Sequence, residues 1–312
     1  MSEIDLVTGG AGFIGSNLVL TLREDGRKVR VLDNFATGRA ENLEPVKPDI
    51  DLIEGDIRDL GLLQKVMQGV SHVYHQAALP SVPRSVEDPV QSNENNISGT
   101  LNVLVAARDN RVARFVFASS SSVYGDTAVL PKQESMSPSL LSPYALNKLA
   151  GEYYCRLFSQ LYGLPTVSLR YFNVFGPRQD PQSEYAAVIP KFITAFLSNE
   201  TPVIYGDGEQ TRDFTYVDNV VAANRLATGL EACTGQVLNI AVGKQISLNQ
   251  LVRELREITG IRLSPKYAEP RLGDVRHSLA DISLARKLLE YEPSVGLKSG
   301  LEKTLDWFRH TG

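Results

Sequence analysis

Tyr144 and Lys148 lie four residues apart in Tyr144-Ala145-Leu146-Asn147-Lys148. On a helix that spacing puts both on one face, with Cβ atoms about 5–6 Å apart. An ammonium beside a phenol favours the phenolate, so the pair could act as a general base. Moving a tyrosine pKa from about 10 to near 7 needs roughly 4 kcal/mol of differential stabilisation. The spacing is common by chance and gains meaning only from its surroundings. A run of hydroxyls, Ser119, Ser120, Ser121 and Ser122, closes the apolar stretch Arg114–Ala118. A serine there can donate to a substrate oxygen and extend a proton path to Tyr144. Ser120 is the first candidate and Ser121 the second, while Ser119 and Ser122 read as backbone capping.

A second constellation stands near the start. Thr8-Gly9-Gly10-Ala11-Gly12-Phe13-Ile14-Gly15 follows an apolar run and opens a helical one. Glycines spaced this way make a tight turn, let backbone N–H groups approach a pyrophosphate, and let helix pack on strand. The helix N-terminus then offers free N–H groups and a positive dipole end to that charge. Asp33 closes the second strand 18 residues after Gly15. A carboxylate there accepts from ribose hydroxyls and repels a 2′-phosphate, which favours NAD over NADP, although Arg39 is close by. Asp56 and Ile57 follow the third strand and are expected to flank the adenine. Ala77 and Ala78 end the fourth, where small residues let the backbone come close, or simply serve helix–sheet packing. A positive nicotinamide ring and Lys148 could together lower the Tyr144 pKa.

Elements of the right kind alternate around these residues. The pattern predicts strands at Ile4–Thr8, Lys28–Asp33, Asp51–Glu54, Ser71–Gln76, Arg114–Ser119 and Thr166–Tyr171. Helices are predicted at Ser16–Asp25, Leu60–Met67, Asn95–Asp109 and Tyr144–Leu161. Such alternation implies βαβ units and a doubly wound parallel α/β sheet. Beyond Phe172 the loops become richer in Gly and Pro, and helices are predicted at Ala187–Ser198, Val217–Leu230, Ser247–Thr259 and Ser283–Leu289. The division expected is residues 1–172 for a dinucleotide-binding Rossmann domain and 173–312 for a smaller, interwoven α/β substrate lobe.

Composition narrows the function. The 312 residues carry 32 Lys and Arg against 36 Asp and Glu, a net charge of −4 that argues against nucleic acid or anionic lipid as partner. Cys155 and Cys233 are too few for a disulfide framework and fit no zinc pattern. His72 and His75 would point to opposite faces of a strand, so no metal is expected. No secretory leader and no run of about 18 apolar residues is present, which reads as a soluble, cytoplasmic protein.

The glycine turn, the serine run followed by Val123-Tyr124-Gly125, Tyr144 with Lys148, and Arg170-Tyr171-Phe172-Asn173 together resemble the extended short-chain dehydrogenase/reductase family. More narrowly, the chain is similar over its length to the NAD-dependent UDP-sugar 4-epimerases. The resemblance implies a tightly bound NAD. Tyr144 would take the proton of the sugar 4-hydroxyl while C4 gives hydride to the cofactor. The 4-keto sugar would then turn over and take hydride back on its other face. Lys148 would orient Tyr144 and lower its pKa, and Ser120 and Ser121 would meet the C4 oxygen. Asn34, Thr37, Gly38, Gln76, Asn96 and Tyr171 would join the cofactor contacts.

On the substrate side, the resemblance gives Asn173, Arg212 and Arg271 to the diphosphate, and two guanidinium forks suit that group. Asp274 would bond the uridine ribose, Ala187, Val188 and Tyr205 would border the uracil, and Arg84 would lie by the sugar. Related dehydratases and decarboxylases carry an acid where Ser121-Ser122 stand here, which favours epimerisation. Ser278, in place of a bulky tyrosine, would leave room for a 2-acetamido group, so UDP-N-acetylhexosamines are expected beside UDP-hexoses. A UDP-glucuronate 4-epimerase and a non-catalytic NAD-binding protein are the alternatives. A homodimer through the two long helices is implied as well.

Overall fold

The computed structural model describes residues 3–181, 187–270 and 275–311. Strands β1 (Ile4–Thr8), β2 (Lys28–Asp33), β3 (Asp51–Glu54), β4 (Val70–His75), β5 (Arg114–Ser120) and β6 (Thr166–Tyr171) come from the first half. Short strands β7 (Val174–Phe175), β8 (Val203–Tyr205), β9 (Thr211–Arg212) and β10 (Thr215–Tyr216) follow, then β11 (Val237–Ile240), β12 (Ile246–Ser247) and β13 (Lys266–Ala268). Among the described residues β1–β6 and β11 form one seven-stranded sheet, in the order β11-β6-β5-β4-β1-β2-β3. Every pairing in it is parallel. The order reverses between β1 and β4, and the crevice beyond those two strand ends is where such sheets bind ligands.

Helices α1 (Phe13–Glu24), α2 (Leu60–Val66), α3 (Val82–Glu87), α4 (Pro89–Asn93), α5 (Gly99–Asp109) and α6 (Pro143–Tyr162) accompany the first six strands. Helices α7 (Val188–Leu197), α8 (Val217–Gly229), α9 (Leu248–Thr259), α10 (Ser283–Leu289) and α11 (Leu297–Thr311) belong to the second half. The two faces of the sheet bury separate apolar clusters, one around Val7, Val31, Val116 and Leu169, the other around Leu6, Leu32, Val73 and Phe115. Neighbours in the strands thus face opposite ways, and both faces are covered, as a parallel sheet requires.

Several boundaries differ from the sequence reading. The predicted helix Asn95–Asp109 is the end of a longer path: α4, a π turn over Glu94–Ser98, and then α5. The wider turn brings both Asn95 and Asn96 inside. The predicted strand Ser71–Gln76 is shifted by one residue to Val70–His75. Helix α11 was not predicted, though Leu301, Leu305 and Phe308, all buried, recur at helical spacing. The seventh strand lies beyond position 173: β11 pairs with β6 from Val237↔Ser168 to Ile240↔Tyr171. The second half therefore completes the sheet of the first. No helix among the described residues is long and apolar enough to cross a membrane.

Candidate active site

Helix α6 is built to start abruptly and end cleanly. The Ser142 side chain caps it by accepting from the Ala145 N–H at 3.2 Å, Pro143 occupies the first turn, and Gly163 closes it at φ +68. Its inner face carries Tyr144, Lys148, Gly151, Glu152 and Cys155. A Cβ on Gly151 would stand 2.3 Å from the Phe117 ring, so only glycine lets α6 approach β5 this closely. Ser85 on α3 braces the start of the helix, accepting from the Tyr144 N–H at 3.0 Å.

This packing sinks Lys148 completely. Its Nζ donates to the Ala118 carbonyl at 2.8 Å and sits 5.1 Å from the Phe117 ring centroid and 5.8 Å from that of Tyr144. Burial lowers its pKa to about 8, partly offset by the charge of Glu152. Glu152 takes Arg170 Nε at 2.8 Å and Nη2 at 2.7 Å, and accepts from Ser119 Oγ at 2.5 Å. Arg170 stacks on Tyr124 at 4.7 Å. Ser119 thus ties helix to strand through a side chain and not by capping backbone, and it also lines the cavity beside Lys148.

The phenol of Tyr144 is not lowered toward 7 by the protein alone. Burial pushes it up to about 12, and a hydrogen bond with the Ser120 side chain offsets only part of that. The ammonium of Lys148 is turned toward the Ala118 carbonyl and makes no direct bond to the phenol, so its help is weak.

Tyr144 and Lys148 line a cavity of about 700 Å³ that runs back to the glycine turn. At that end helix α1 begins at Gly12 with no side-chain cap, so the amides of Phe13, Ile14 and Gly15 lack intrahelical acceptors. A Cβ on Gly15 would fall 2.1 Å from the Gly9 carbonyl oxygen. The cradle is shaped for an anion held by backbone. Asn34, Thr37, Gly38, Ile57, Gln76, Ala77, Ala78, Arg84 and Tyr171 line the same cavity. Asp33 lines it too, although its carboxylate already accepts from the N–H groups of Ala11 and Phe35 at 2.8 Å each. The Tyr171 hydroxyl accepts from Asn224 Nδ2 at 2.8 Å and Gln76 Nε2 at 3.1 Å, fixing the floor. These features fit a dinucleotide: a diphosphate cradle, a carboxylate at the ribose end, and a base-and-ammonium pair at the far end.

Other expected residues fall elsewhere. Asp56 does not line the cavity. Arg58 and Asn34 hold its carboxylate down at about 2, and its neighbour Ile57 faces the space instead. Asn96 is buried and clamps the Leu79 backbone through both its N–H and its carbonyl, while Asn95 lines the cavity. Ser120 ends β5 and accepts from the Ser122 N–H, and Ser121 starts the 3-10 turn Ser121–Tyr124. Neither reaches the two cavities, although Ser120 meets Tyr144.

A second cavity of about 450 Å³ adjoins the first, and Ala187 borders both. Asn173, Val188, Tyr205 and Arg212, expected together on the substrate side, line it. Asp213, next to Arg212, accepts from the N–H groups of Val242, Gly243 and Ala280 at 3.0–3.2 Å, and burial raises its pKa to about 6. That carboxylate knots three loops behind the cavity; sequence inspection passed over it. Ser278 is buried behind this strand, donating its N–H to the Thr211 carbonyl, and lines neither cavity. Arg271 and Asp274 lie outside the described residues.

A doubly wound sheet with an anion cradle at its switch point and a Tyr/Lys pair on the same cavity defines a dinucleotide-dependent enzyme of the dehydrogenase type. Residues 6–241 match the NAD dependent epimerase/dehydratase family. The UDP-glucose 4-epimerase of Mycolicibacterium smegmatis is 41% identical over 311 residues, covering 98% of each chain. A solved UDP-N-acetylglucosamine 4-epimerase from Methanobrevibacter ruminantium, in complex with UDP-N-acetylmuramic acid, is 42% identical over 100% of both chains with a TM-score of 0.95. The UDP-glucose 4-epimerase of Thermotoga maritima, with UDP-glucose, is 40% identical over 99% of both chains with a TM-score of 0.94. This chain belongs to the NAD dependent epimerase/dehydratase family, and its cofactor is NAD.

Proposed function

We propose that the protein is a UDP-sugar 4-epimerase that acts on UDP-N-acetylglucosamine and UDP-N-acetylgalactosamine as well as UDP-glucose and UDP-galactose. One observation carries the reading: the cavity holding Tyr144 and Lys148 meets, at Ala187, a second cavity bearing Asn173 and Arg212. A nucleotide sugar held in the second would present its sugar to the first. Arg212 and Asn173 would hold the diphosphate and leave the sugar free to turn over between two poses. Bound NAD would supply a reversible two-electron acceptor at the sugar carbon and would add its positive charge to that of Lys148 near the phenol. Tyr144 would take the proton from the 4-hydroxyl and later return it, with Ser120 bonded to the phenol as its proton partner. Lys148, held by the Ala118 carbonyl, supplies charge and orientation from below. The similarity to a UDP-N-acetylglucosamine 4-epimerase supports the acetamido sugar.

The reading extends to assembly. Leu146, Tyr153, Leu157 and Leu161 are all exposed and recur along one side of α6, an apolar stripe suited to a second copy of the same helix. A homodimer through α6 and its neighbour α5 accounts for it. Two buried, unpaired cysteines support work in the reducing cytoplasm. For the activity, NMR of the anomeric signals is followed with UDP-glucose, UDP-N-acetylglucosamine and UDP-glucuronate offered separately, without added cofactor. Both neutral sugars should convert. Conversion of the acid alone would replace this reading with the glucuronate enzyme, and conversion of none would leave a binding protein.

A further inference from the structure

Arg178 sits in the turn Gly176-Pro177-Arg178, where the sequence suggests only a loop of the second lobe. The fold carries it back to the first lobe. Its guanidinium Nη1 donates to Asn17 Oδ1 at 2.7 Å, and Asn17 Nδ2 donates in turn to the carbonyls of Phe13 at 2.8 Å and Pro177 at 3.1 Å. The turn is thereby stitched to the opening of α1, beside the amides that lack acceptors. The backbone is bent to achieve this, since Arg178 has φ +68, a conformation that a non-glycine residue adopts only when its surroundings demand it.

The side chain lines the cofactor cavity together with Gly12, Phe13 and Ile14. It is partly buried, and among the described residues it makes no ion pair with a carboxylate. Arg39, the other guanidinium at that end, is different: it is paired with Asp180 at 2.8 Å. Burial disfavours the charge on Arg178, and Tyr216, Glu24 and Asp218 offset only part of this. A half-buried guanidinium kept without an anion is costly unless an anion arrives with the ligand.

We propose that Arg178 is a cofactor-binding residue that contacts the diphosphate of the dinucleotide, adding a side-chain cation to the backbone cradle of α1. Asn17 is its positioning residue. The assignment rests on the NAD reading above and deepens it, because a residue of the second lobe then helps to hold a ligand of the first.

The test compares ligands that differ in the diphosphate. Binding of NAD and of adenosine to the full-length wild type, Arg178→Met and Arg178→Lys is measured after dialysis against charcoal, by calorimetry and ligand-observed NMR. Retained NAD per chain is also measured before dialysis. Arg178→Met should weaken NAD by about 10- to 100-fold, lose retained NAD on gel filtration, and leave adenosine within about twofold. Arg178→Lys should fall between. Unchanged NAD affinity in Arg178→Met would overturn the assignment. So would a parallel loss of adenosine, which would mean that the residue only shapes the turn. A wild type that binds neither ligand would overturn the cofactor reading, and this assignment with it.

Discussion

Tyr144 holds its proton more tightly than a free phenol does, and this sets what can be expected of single residues. Removing the hydroxyl in Tyr144→Phe takes away the base but little of the cavity wall. Turnover should fall by orders of magnitude while NAD content, read from the absorbance of extracted cofactor, stays near one per chain. Lys148 pays for its position in stability. Its pKa is lowered by burial from 10.5 to about 8. Below pH 8 both folded and unfolded states carry the charge, and the fold bears the full penalty. Between pH 8 and 10.5 the folded state releases the proton first, so stability rises with pH. Lys148→Met should therefore raise the unfolding free energy of cofactor-free protein at pH 7 by up to about 3 kcal/mol, seen as a higher urea midpoint, and flatten the rise above pH 8. A lower midpoint at pH 7 would show that the bond to Ala118 outweighs the desolvation. At this scale the Tyr144/Lys148 pair was legible because helical spacing alone puts the two on one face. The direction of the phenol's pKa was not, because burial depends on Phe117, Ala118 and the strand beneath the helix.

Among elements, α6 is decisive, and it is held by charge as well as by apolar packing. Glu152, one turn beyond Lys148, binds Arg170 of β6 and Ser119 of β5. Glu152→Ala would strand Arg170 and should cost about 3–5 kcal/mol. Glu152→Gln keeps the volume and should lower kcat more than it raises KM, with the alkaline limb of the pH–rate profile displaced because Lys148 loses a nearby negative charge. An unchanged profile with lower stability would make Glu152 purely structural. The strands and long helices of the first half were readable from short apolar runs alternating with amphipathic stretches, while the caps of α6, Ser142 and Gly163, show only in the structure. The π turn at Glu94–Ser98 was not, since nothing in the residue types distinguishes it from the helix that follows. Asn96 consequently faces Leu79, and Asn95 faces the cavity.

For the whole molecule, the parallel sheet, its two covered faces and the switch point all follow from the order of elements in the first 172 residues. Assembly also belongs to this scale. Leu157→Glu places a charge in the exposed stripe of α6 and should convert the proposed dimer to monomer in sedimentation velocity, with the cofactor still bound. A wild type that sediments as a monomer would remove the stripe from the argument. The entry of β11 into the sheet was invisible locally, because Val237–Ile240 reads as any short apolar run, and only its pairing with β6 reveals its place. That pairing has a consequence for synthesis. The outer edge of β6 stays unzipped until residue 240 has left the ribosome, some seventy residues after β6 itself. A product halted in that interval would carry a bare row of backbone donors and acceptors, ready to stick to its like. The half of the chain that reads most like an independent nucleotide-binding unit is thus the one least fit to be made alone.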